Sequence, residues 1–219
     1  MKSPAPDERL SSTGSPATVS GPNQAARKAL IALAIIFAVS FLFVSASYEA
    51  DGSLVHESLE WIGVLLIVVC IIGRTWCTLY IGGRKNTELV TVGPYSICRN
   101  PLYTFSIIGA IGVGAQFGSV TVALVCGFFI WIVFHWTALR EEAAMALGFQ
   151  DDFRRYAARV PRFLPNFSLW QSPTTLVVHQ RALRATFLDA LIFLTAIPLM
   201  EFFEYLHDSG ILPVYLKLP

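Results

Sequence analysis

Charge is what this sequence has little of. Only 14% of the 219 residues are Asp, Glu, Lys or Arg, whereas soluble globular domains contain roughly a quarter. With 54% hydrophobic residues, the composition excludes both an ordinary soluble domain and a disordered chain. The net charge of +1 gives no reason to expect a nucleic-acid partner.

The short motifs of several enzyme classes are also missing. The sequence contains no P-loop, no Gly-x-Ser-x-Gly and no HxxxH or HExxH pair among its histidines, which are His56, His135, His179 and His207. The cysteines lie in or beside apolar stretches without CxxC spacing, and they are Cys70, Cys77, Cys98 and Cys126. We therefore predict buried free thiols, with no disulfide framework and no bound metal.

Long apolar runs are abundant. A helix that crosses a hydrocarbon core of ~30 Å needs about 20 apolar residues. The sequence offers such runs at 29–47, 59–81, 102–116, 119–139 and, more weakly, 185–205. They predict an all-α fold, a polytopic membrane helical bundle with about five transmembrane helices.

The fifth run is interrupted by polar residues. It contains Asp189, Glu201 and Glu204, with Pro198 near its middle. An interfacial or re-entrant helix is therefore an alternative to a span. The acids are expected to line a substrate tunnel or to sit at the membrane interface.

Small residues mark the hairpin between the third and fourth runs. Phe117-Gly118 predicts a tight turn there, and the apolar segment around it contains further glycines at Gly109, Gly112 and Gly114. Because small residues let helix backbones approach closely, we expect these glycines to lie at helix–helix contacts.

The basic residues indicate an orientation. Of the 16 Lys and Arg residues, all but Arg74 and Lys217 fall in segments that this topology places on one side of the membrane. The positive-inside rule then predicts that the N-terminus and both long polar loops are cytoplasmic. Residues 1–26 have no apolar periodicity and are predicted to be a disordered tail rather than a signal peptide.

The first polar loop ends in a helix-start signal. Gly93-Pro94 is typical of a turn, and Asn100-Pro101 suits an N-cap followed by the first helical residue. The positive end of the helix dipole and the neighbouring Arg99 would together attract a carboxylate or phosphate. The alternative is a capped helix with an arginine at the membrane interface.

The second polar loop starts with Glu141 and Glu142, directly after Arg140. Adjacent acids at the C-terminal end of a helix are not favoured by its dipole, so a cationic or hydroxyl-bearing ligand would explain them. The alternative is ion pairing with Arg140 and nearby arginines. Further along, aromatic residues and Pro alternate with arginines over 153–165, which suggests an amphipathic stretch on the membrane surface.

Taken in order, these loop motifs resemble a known superfamily. Leu89-Val-Thr-Val-Gly-Pro-Tyr95, Arg99-Asn-Pro-Leu-Tyr103, Glu141-Glu142 and Phe153-x-x-Tyr-x-x-x-Val-Pro-x-x-x-Pro165 are similar to the isoprenylcysteine carboxyl methyltransferase and phospholipid methyltransferase superfamily. The likeness covers about 72–165. It implies an integral membrane methyltransferase that uses S-adenosylmethionine and a lipophilic or lipidated acceptor reached from the membrane lipid.

The resemblance also implies site residues and a division of the chain. The implied cofactor-binding residues are Thr87, Glu88, Leu89, Val90, Tyr95, Arg99, Asn100, Pro101, Leu102, Tyr103, Glu141 and Glu142. The catalytic candidates are Arg99, Glu141 and Arg140, with Glu141 preferred over Glu142 as the acid that holds the cofactor. Residues 27–82 then form two N-terminal membrane helices, 83–170 the methyltransferase core, and 171–219 a C-terminal loop with the fifth helix.

Three positions depart from the superfamily pattern. Asn100 replaces the usual His before Pro101, and Gln150 replaces a usual Gly after Phe149. Thr137 stands where prenylcysteine enzymes carry an Arg that faces the substrate carboxylate. Arg140 or His135 is the expected replacement, and the prenylcysteine substrate itself is in question.

Four functions compete at this point. The first is methylation of a carboxylate or thiol on a lipophilic substrate, since neither group needs a strong general base. The second is N-methylation of a phospholipid headgroup. The third is a nicotinamide-dependent membrane reductase, whose C-terminal architecture is similar, and the fourth is a non-catalytic membrane scaffold or transporter subunit.

Overall fold

Helices make up most of the chain that the computed structural model describes, which comprises residues 45–47, 54–84, 87–212 and 216–218. In chain order the elements are β1 (Ser45–Ser47), α1 (Leu54–Ile81), α2 (Pro94–Ile97), α3 (Pro101–Ala115), α4 (Val120–Arg159), α5 (Gln180–Leu191), α6 (Ala196–Asp208) and β2 (Leu216–Leu218). Short 3₁₀ helices lie at Phe167–Leu169 and Ile192–Thr195. The predicted tail at 1–26 lies outside the described residues.

Three of the described helices are long and apolar enough to cross a membrane. They are Leu54–Ile81, Val120–Arg159 and the continuous segment Gln180–His207. The all-helical fold class is thereby confirmed. α3 has 15 residues and is about 22 Å long, which is less than a ~30 Å core requires.

The first predicted span, 29–47, falls on residues outside the described part of the chain, except for its last three. The prediction of a helix is wrong for Ser45–Ser47, which forms β1. The physical reason is that this segment pairs in parallel with Leu216–Leu218 of β2, which satisfies its backbone groups outside a helix.

α4 extends 20 residues past the predicted end at 139. Residues 140–147 are mostly Arg, Glu, Ala, Met and Leu, which favour helix, so the chain continues helically beyond the apolar run. The helix is kinked at Gln150, whose φ is 43° and ψ is −115°. A glycine adopts this backbone conformation without strain, and glycine is the residue that the superfamily pattern has there.

α1, α3 and α4 pack side by side, with close approaches at glycines. A Cβ added at Gly109 would lie 2.5 Å from the sulfur of Cys70, and one at Gly112 would lie 2.8 Å from the carbonyl of Gly63. The expected role of these glycines in close helix packing is therefore confirmed. The turn at 116–118 is fixed by Gln116, whose side chain donates to the carbonyl of Glu60 at 2.7 Å.

The C-terminal segment packs along the same bundle. Ala190 of α5 is buried against Ile67 and Ile71 of α1, while Met200 and Phe203 of α6 are buried against the 117–122 turn region. The helix passes through the 3₁₀ turn at Ile192–Thr195, and Pro198 falls in the first turn of α6, where its missing N–H is tolerated. Asp189 and Glu201 are exposed.

Candidate active site

The two polar loops pair with each other at one end of the bundle, which we call the loop end. The backbone N–H of Arg99 donates to Pro161 at 2.8 Å, and that of Asn100 donates to Arg162 at 3.2 Å. A third bond runs from the N–H of Asn166 to Ile97 at 2.9 Å. Residues 97–100 and 161–166 are therefore held in a fixed relation, although they lie far apart in sequence.

The Gly93-Pro94 turn fixes the other end of the first loop. Gly93 has a φ of 61°, and a Cβ there would lie 2.2 Å from the ring of Tyr80, so glycine is required. The N–H of Gly93 donates to Gln171 at 2.7 Å. Next to Gln171, Trp170 stacks on Trp76 of α1 with ring centroids 5.7 Å apart.

A carboxylate lies at the centre of the loop end. Glu142 accepts from Arg162 twice, at 2.9 Å from Nε and 2.9 Å from Nη2. It also accepts from Arg99 Nη1 at 3.1 Å and from Asn100 Nδ2 at 3.1 Å. We call these four residues (Arg99, Asn100, Glu142 and Arg162) the Glu142 cluster.

The Glu142 cluster is shielded from solvent and positively charged overall. The side chains of Glu142, Arg99 and Arg162 are 8%, 13% and 29% exposed. Two guanidinium groups face one carboxylate, which leaves a net charge of +1. The hydrogen bonds to Glu142 raise the pKa of Arg162 above its ordinary value, so this arginine stays charged.

An open cleft of about 780 Å³ adjoins the Glu142 cluster. It is lined by Arg99 and by residues of 157–161 and 164–168, including Arg159. The Nε of Arg99 is buried and has no hydrogen-bond partner in the described structure. Since an unpaired buried N–H is costly, the arrangement favours an anionic group of a small molecule at this edge of the cleft.

Behind the cleft, an apolar cluster supports the loops. Phe153, Tyr156 and Val160 are buried, and Leu89 packs against them. The hydroxyl of Tyr156 donates to the carbonyl of Tyr95 at 2.7 Å. The prediction of a membrane-surface stretch is therefore wrong for these residues, because their apolar side chains cover the first loop instead.

Cys98 joins the two loops from inside. Its thiol donates to the carbonyls of Arg162 and Phe163, each at 3.3 Å. Burial raises the pKa of the Cys98 thiol, and the neighbouring Arg99 lowers it less. The thiol is therefore neutral at physiological pH. Cys70 and Cys77 are also buried free thiols, and Cys126 is a half-buried one.

The structure brings part of the predicted site together. Arg99, Asn100 and Glu142 share the Glu142 cluster, and Pro101 starts α3 beside them. Asn100 is the N-cap residue as expected, but its side chain makes no capping bond, because the amide donates to Glu142 instead. Tyr95 is buried and Leu89, Val90, Leu102 and Tyr103 are half-buried around this region.

The remaining predicted residues lie outside the Glu142 cluster. Thr87 and Glu88 are exposed, and both bond to Arg84. Glu141 is half-buried and Arg140 is exposed. The acid at the centre of the cluster is thus Glu142, and not Glu141, which the sequence favours. The cofactor role of Glu141 stays a prediction.

Arg162 is the site residue that sequence reasoning missed. It was assigned to the membrane-surface pattern, yet its guanidinium binds Glu142 with two parallel bonds. The available signal was the acid pair itself, for which the sequence had offered ion pairing with nearby arginines as an alternative. Those cations come from Arg99 and Arg162, which are 43 and 20 residues away from Glu142.

Thr137, which stands where the superfamily has an arginine, is buried. Thr137 is 9% exposed, and its hydroxyl donates to the carbonyl of Val133 at 2.8 Å. His135 lies between the rings of Trp131 and Phe163, with centroids 5.2 and 5.9 Å away. Thr137 therefore presents no guanidinium, and the next arginine along α4, Arg140, is exposed.

Apolar helices of membrane-spanning length are typical of a membrane protein, and the loops at one end enclose a buried charged cluster, which is the candidate site. Residues 58–152 match the phospholipid methyltransferase family. The chain belongs to this family, which is part of the isoprenylcysteine carboxyl methyltransferase-like superfamily. The family is one of membrane methyltransferases.

Two curated proteins are similar over most of their length. The cobalt-zinc-cadmium resistance protein CzcN of Cupriavidus metallidurans is 36% identical over 168 residues, which cover 77% of each chain. The nickel-cobalt-cadmium resistance protein NccN of Alcaligenes xylosoxydans xylosoxydans is 32% identical over 185 residues, covering 84% of this chain and 86% of NccN. No solved structure matches the chain.

Proposed function

We propose that this chain transfers a methyl group from S-adenosylmethionine to a carboxylate or thiol on a lipophilic acceptor. The observation that carries the proposal is the Glu142 cluster beside the open cleft. It holds Arg99 in place through Nη1 while leaving Nε without a partner. The family assignment favours methyl transfer over a nicotinamide-dependent reductase or a scaffold.

The residues at the loop end fit the cofactor. Arg99 and the start of α3 suit its carboxylate, and Glu141 suits its ribose hydroxyls or ammonium group. The cleft of about 780 Å³ falls within the usual range for small-molecule sites. S-adenosylmethionine supplies a methyl group already activated on a sulfonium. The protein then has to position the acceptor and exclude water.

The acceptor is proposed to arrive from the bilayer. α3 carries Tyr103 stacked on Phe134 of α4 with centroids 4.5 Å apart, so the interior between these helices is apolar at the loop end. A carboxylate or thiolate acceptor requires no strong base. That suits a site whose acid, Glu142, is already engaged by four hydrogen bonds.

The chain is proposed to be a multi-pass membrane protein whose loop end lies in the cytoplasm. The support is the charge distribution, since Arg84, Arg99, Arg159 and Arg162 all lie at this end. Arg154 and Arg155 add less net charge than their number suggests, because each is paired with an aspartate three residues earlier in the chain.

The test is transfer of radiolabelled methyl from S-adenosylmethionine into membranes that contain the full chain. The extracted product is treated with base and volatile methanol is counted. We expect methanol release from a methyl ester, or base-stable label from a thioether. Glu142→Gln and Glu141→Gln should lose the label, whereas Arg154→Met, at an exposed arginine outside the site, should keep it. Absence of label with the wild-type protein would contradict the proposal.

A second candidate is N-methylation of a phospholipid headgroup. It is favoured by the family match, whose description names phospholipid methyltransferases. In the same assay it would give base-stable label that migrates with phospholipid in the lipid extract. An ammonium headgroup must first lose a proton, so this activity would rise with pH, whereas carboxylate methylation would not.

The relatives suggest a physiological context. CzcN and NccN are named for resistance to cobalt, cadmium and zinc or nickel. Within the described residues, no group of three or more His, Cys, Asp or Glu side chains could hold a metal ion. We propose that any contribution of this chain to metal tolerance acts through methylation. Growth on cadmium or cobalt salts with wild-type protein, but not with Glu142→Gln, is the expected result; equal tolerance with both would contradict it.

A further inference from the structure

Arg74 is a basic residue inside an apolar helix. It lies in α1, seven residues before the helix ends at Ile81, which places it about 10 Å along the axis from that end. A charged side chain at such a position in a membrane helix is costly and usually has a functional partner. The Glu142 cluster does not include it, so its role is separate.

The guanidinium of Arg74 is poorly satisfied. Its Nη1 donates to the hydroxyl of Ser106 on α3, while its Nε is buried and has no hydrogen-bond partner. Among the described residues, none of the ion pairs involves Arg74. Asp189 and Glu201 of the neighbouring C-terminal segment are exposed. The charge is thus uncompensated within the described part of the protein, which is unfavourable unless a ligand supplies an anion.

A second buried polar group without a partner lies on α2, which packs against α1. The hydroxyl of Tyr95 is buried without a partner, and the residue is 5% exposed. The two helices meet closely at this end, since a Cβ on Gly93, directly before α2, would lie 2.2 Å from the ring of Tyr80 on α1. The Nε–H of Arg74 can only donate and the hydroxyl of Tyr95 is able to donate, so one hydrogen-bond acceptor would complete both groups.

The position suits the methyl acceptor. Ser106, which orients Arg74, lies six residues beyond Asn100 on α3, a distance of about 9 Å along the helix. A molecule that bridges this distance reaches from the Glu142 cluster into the apolar bundle. Thr137 leaves the α4 face without the arginine of prenylcysteine enzymes, and Arg74 presents a cation from α1 instead.

We propose that Arg74 and Tyr95 form a binding subsite for an oxyanion group, a carboxylate or a phosphate, of the lipophilic methyl acceptor. This inference rests on the proposed function, because it assigns the acceptor of that same site. Ser106 holds the guanidinium, Arg74 supplies the charge and Tyr95 donates the second hydrogen bond.

The competing explanation is that Arg74 only joins α1 to α3 through Ser106. The two accounts differ in the unliganded protein. If Arg74 binds an acceptor, Arg74→Met removes an uncompensated charge and leaves the unliganded thermal midpoint unchanged or higher. If Arg74 is a structural tie, the same substitution lowers that midpoint. Tyr95→Phe, which removes one hydroxyl, is a second variant in case Arg74→Met does not fold.

The test measures thermal midpoints of the purified full chain in nonionic detergent with defined probes. The probes are oleate as a lipophilic carboxylate, phosphatidic acid as a lipophilic phosphate, oleyl alcohol as the neutral control and inorganic phosphate as the free anion. A ligand that binds the folded state raises the midpoint. We expect oleate or phosphatidic acid to stabilise the wild-type protein and Arg154→Met. At least ten-fold more probe should be needed with Arg74→Met, and an intermediate amount with Tyr95→Phe.

Each outcome decides between the accounts. The stronger of the oleate and phosphatidic acid responses identifies the oxyanion. An equal response of Arg74→Met and wild type, or a response to oleyl alcohol as large as that to oleate, would overturn the proposal. A response to inorganic phosphate equal to that of phosphatidic acid would overturn its lipophilic part.

Calorimetric titration with S-adenosylmethionine separates this inference from the proposed function. If the wild-type chain does not bind the cofactor, the methyltransferase proposal fails, while the response to the anionic probes is still measured on its own. If Arg74→Met binds the cofactor normally but keeps the wild-type response to both anionic lipids, the methyltransferase proposal stands and the acceptor subsite is wrong.

Discussion

Glu142 and Arg74 are both charged side chains inside this bundle, but their surroundings are opposite. Glu142 receives four hydrogen bonds from two arginines and an amide. Arg74 has one neutral partner, Ser106, and a buried Nε without any. The carboxylate of Glu142 is fully paired within the protein and therefore organises the loops, while Arg99 beside it keeps a buried Nε for a ligand. The guanidinium of Arg74 has no carboxylate partner at all, and therefore indicates a ligand of its own.

The largest expected effect comes from opening the Glu142 cluster. Glu142→Ala leaves Arg99 and Arg162 close together without a counter-charge, and losing one partner of a buried ion pair destabilises a protein by about 3 kcal/mol or more. Loss of the cluster also releases Arg99 from its position at the cleft. We expect methyl transfer to fall below detection and the thermal midpoint in detergent to drop clearly.

Glu142→Gln provides the matched control for this change. It keeps the shape and one acceptor oxygen but removes the charge, so its thermal midpoint should fall less than that of Glu142→Ala. If both variants retain wild-type stability and activity, Glu142 does not organise the loops. The proposed difference between a structural Glu142 and a ligand-binding Arg74 would then be wrong.

The next effect tests the turn that holds the first loop. Gly93→Ala places a Cβ 2.2 Å from the ring of Tyr80 at a φ of 61°, and such backbone strain costs about 2 kcal/mol. Gly148→Ala is the control, because nothing lies within 4 Å of a Cβ there and alanine favours helix. Thermal unfolding should separate the two variants, and equal midpoints would refute a fixed turn.

Arg162→Lys tests whether the two parallel hydrogen bonds to Glu142 matter beyond the positive charge. Lysine keeps the charge but cannot reproduce both contacts to Glu142, so we expect a loss of about 1 kcal/mol. Transfer activity should fall several-fold, with a smaller effect than in Arg162→Met. An Arg162→Lys variant as inactive as Arg162→Met would mean that the fork geometry, not the charge, is what the site needs.

The smallest effect concerns the thiol at the same end. Cys98 has a pKa above its ordinary value of 9.0 because burial outweighs the nearby Arg99. In the folded protein its alkylation should therefore be slower than in the unfolded chain at every pH between 7 and 9, because a smaller fraction of the thiol is ionised. The unfolded chain, with an ordinary thiol, should react faster at each of these pH values. Mass spectrometry of Cys98 after maleimide treatment measures this, and rapid labelling of the folded protein would mean that the loops open readily.

The apolar pattern predicted the membrane helices well where hydrophobicity alone decides. The run at 59–81 lies within α1, and the run at 119–139 lies within α4 except for its first residue, which is the N-cap. The extension of α4 to Arg159 was not predicted because it depends on helix propensity and on tertiary contacts of Phe153 and Tyr156, which hydropathy does not report. The positive φ of Gln150 could not be predicted either, because the kink of α4 imposes it and glutamine itself does not favour it.

The part of the site that lies in short sequence motifs could be predicted. Arg99, Asn100 and Glu142 came from short local patterns, and the structure places them together. Arg162 and Arg74 could not be predicted from local patterns, because their roles depend on which distant groups they face. Arg162 acquires its partner through loop pairing, and Arg74 is identified by donors that lack partners, which no local spacing reveals.

The most direct test of the account is calorimetric titration of S-adenosylmethionine into the purified full chain, the Glu142→Gln variant and the Arg74→Met variant. We expect binding to the wild type, loss of binding in Glu142→Gln and unchanged binding in Arg74→Met. No binding to the wild type, or equal binding to wild type and Glu142→Gln, would contradict it.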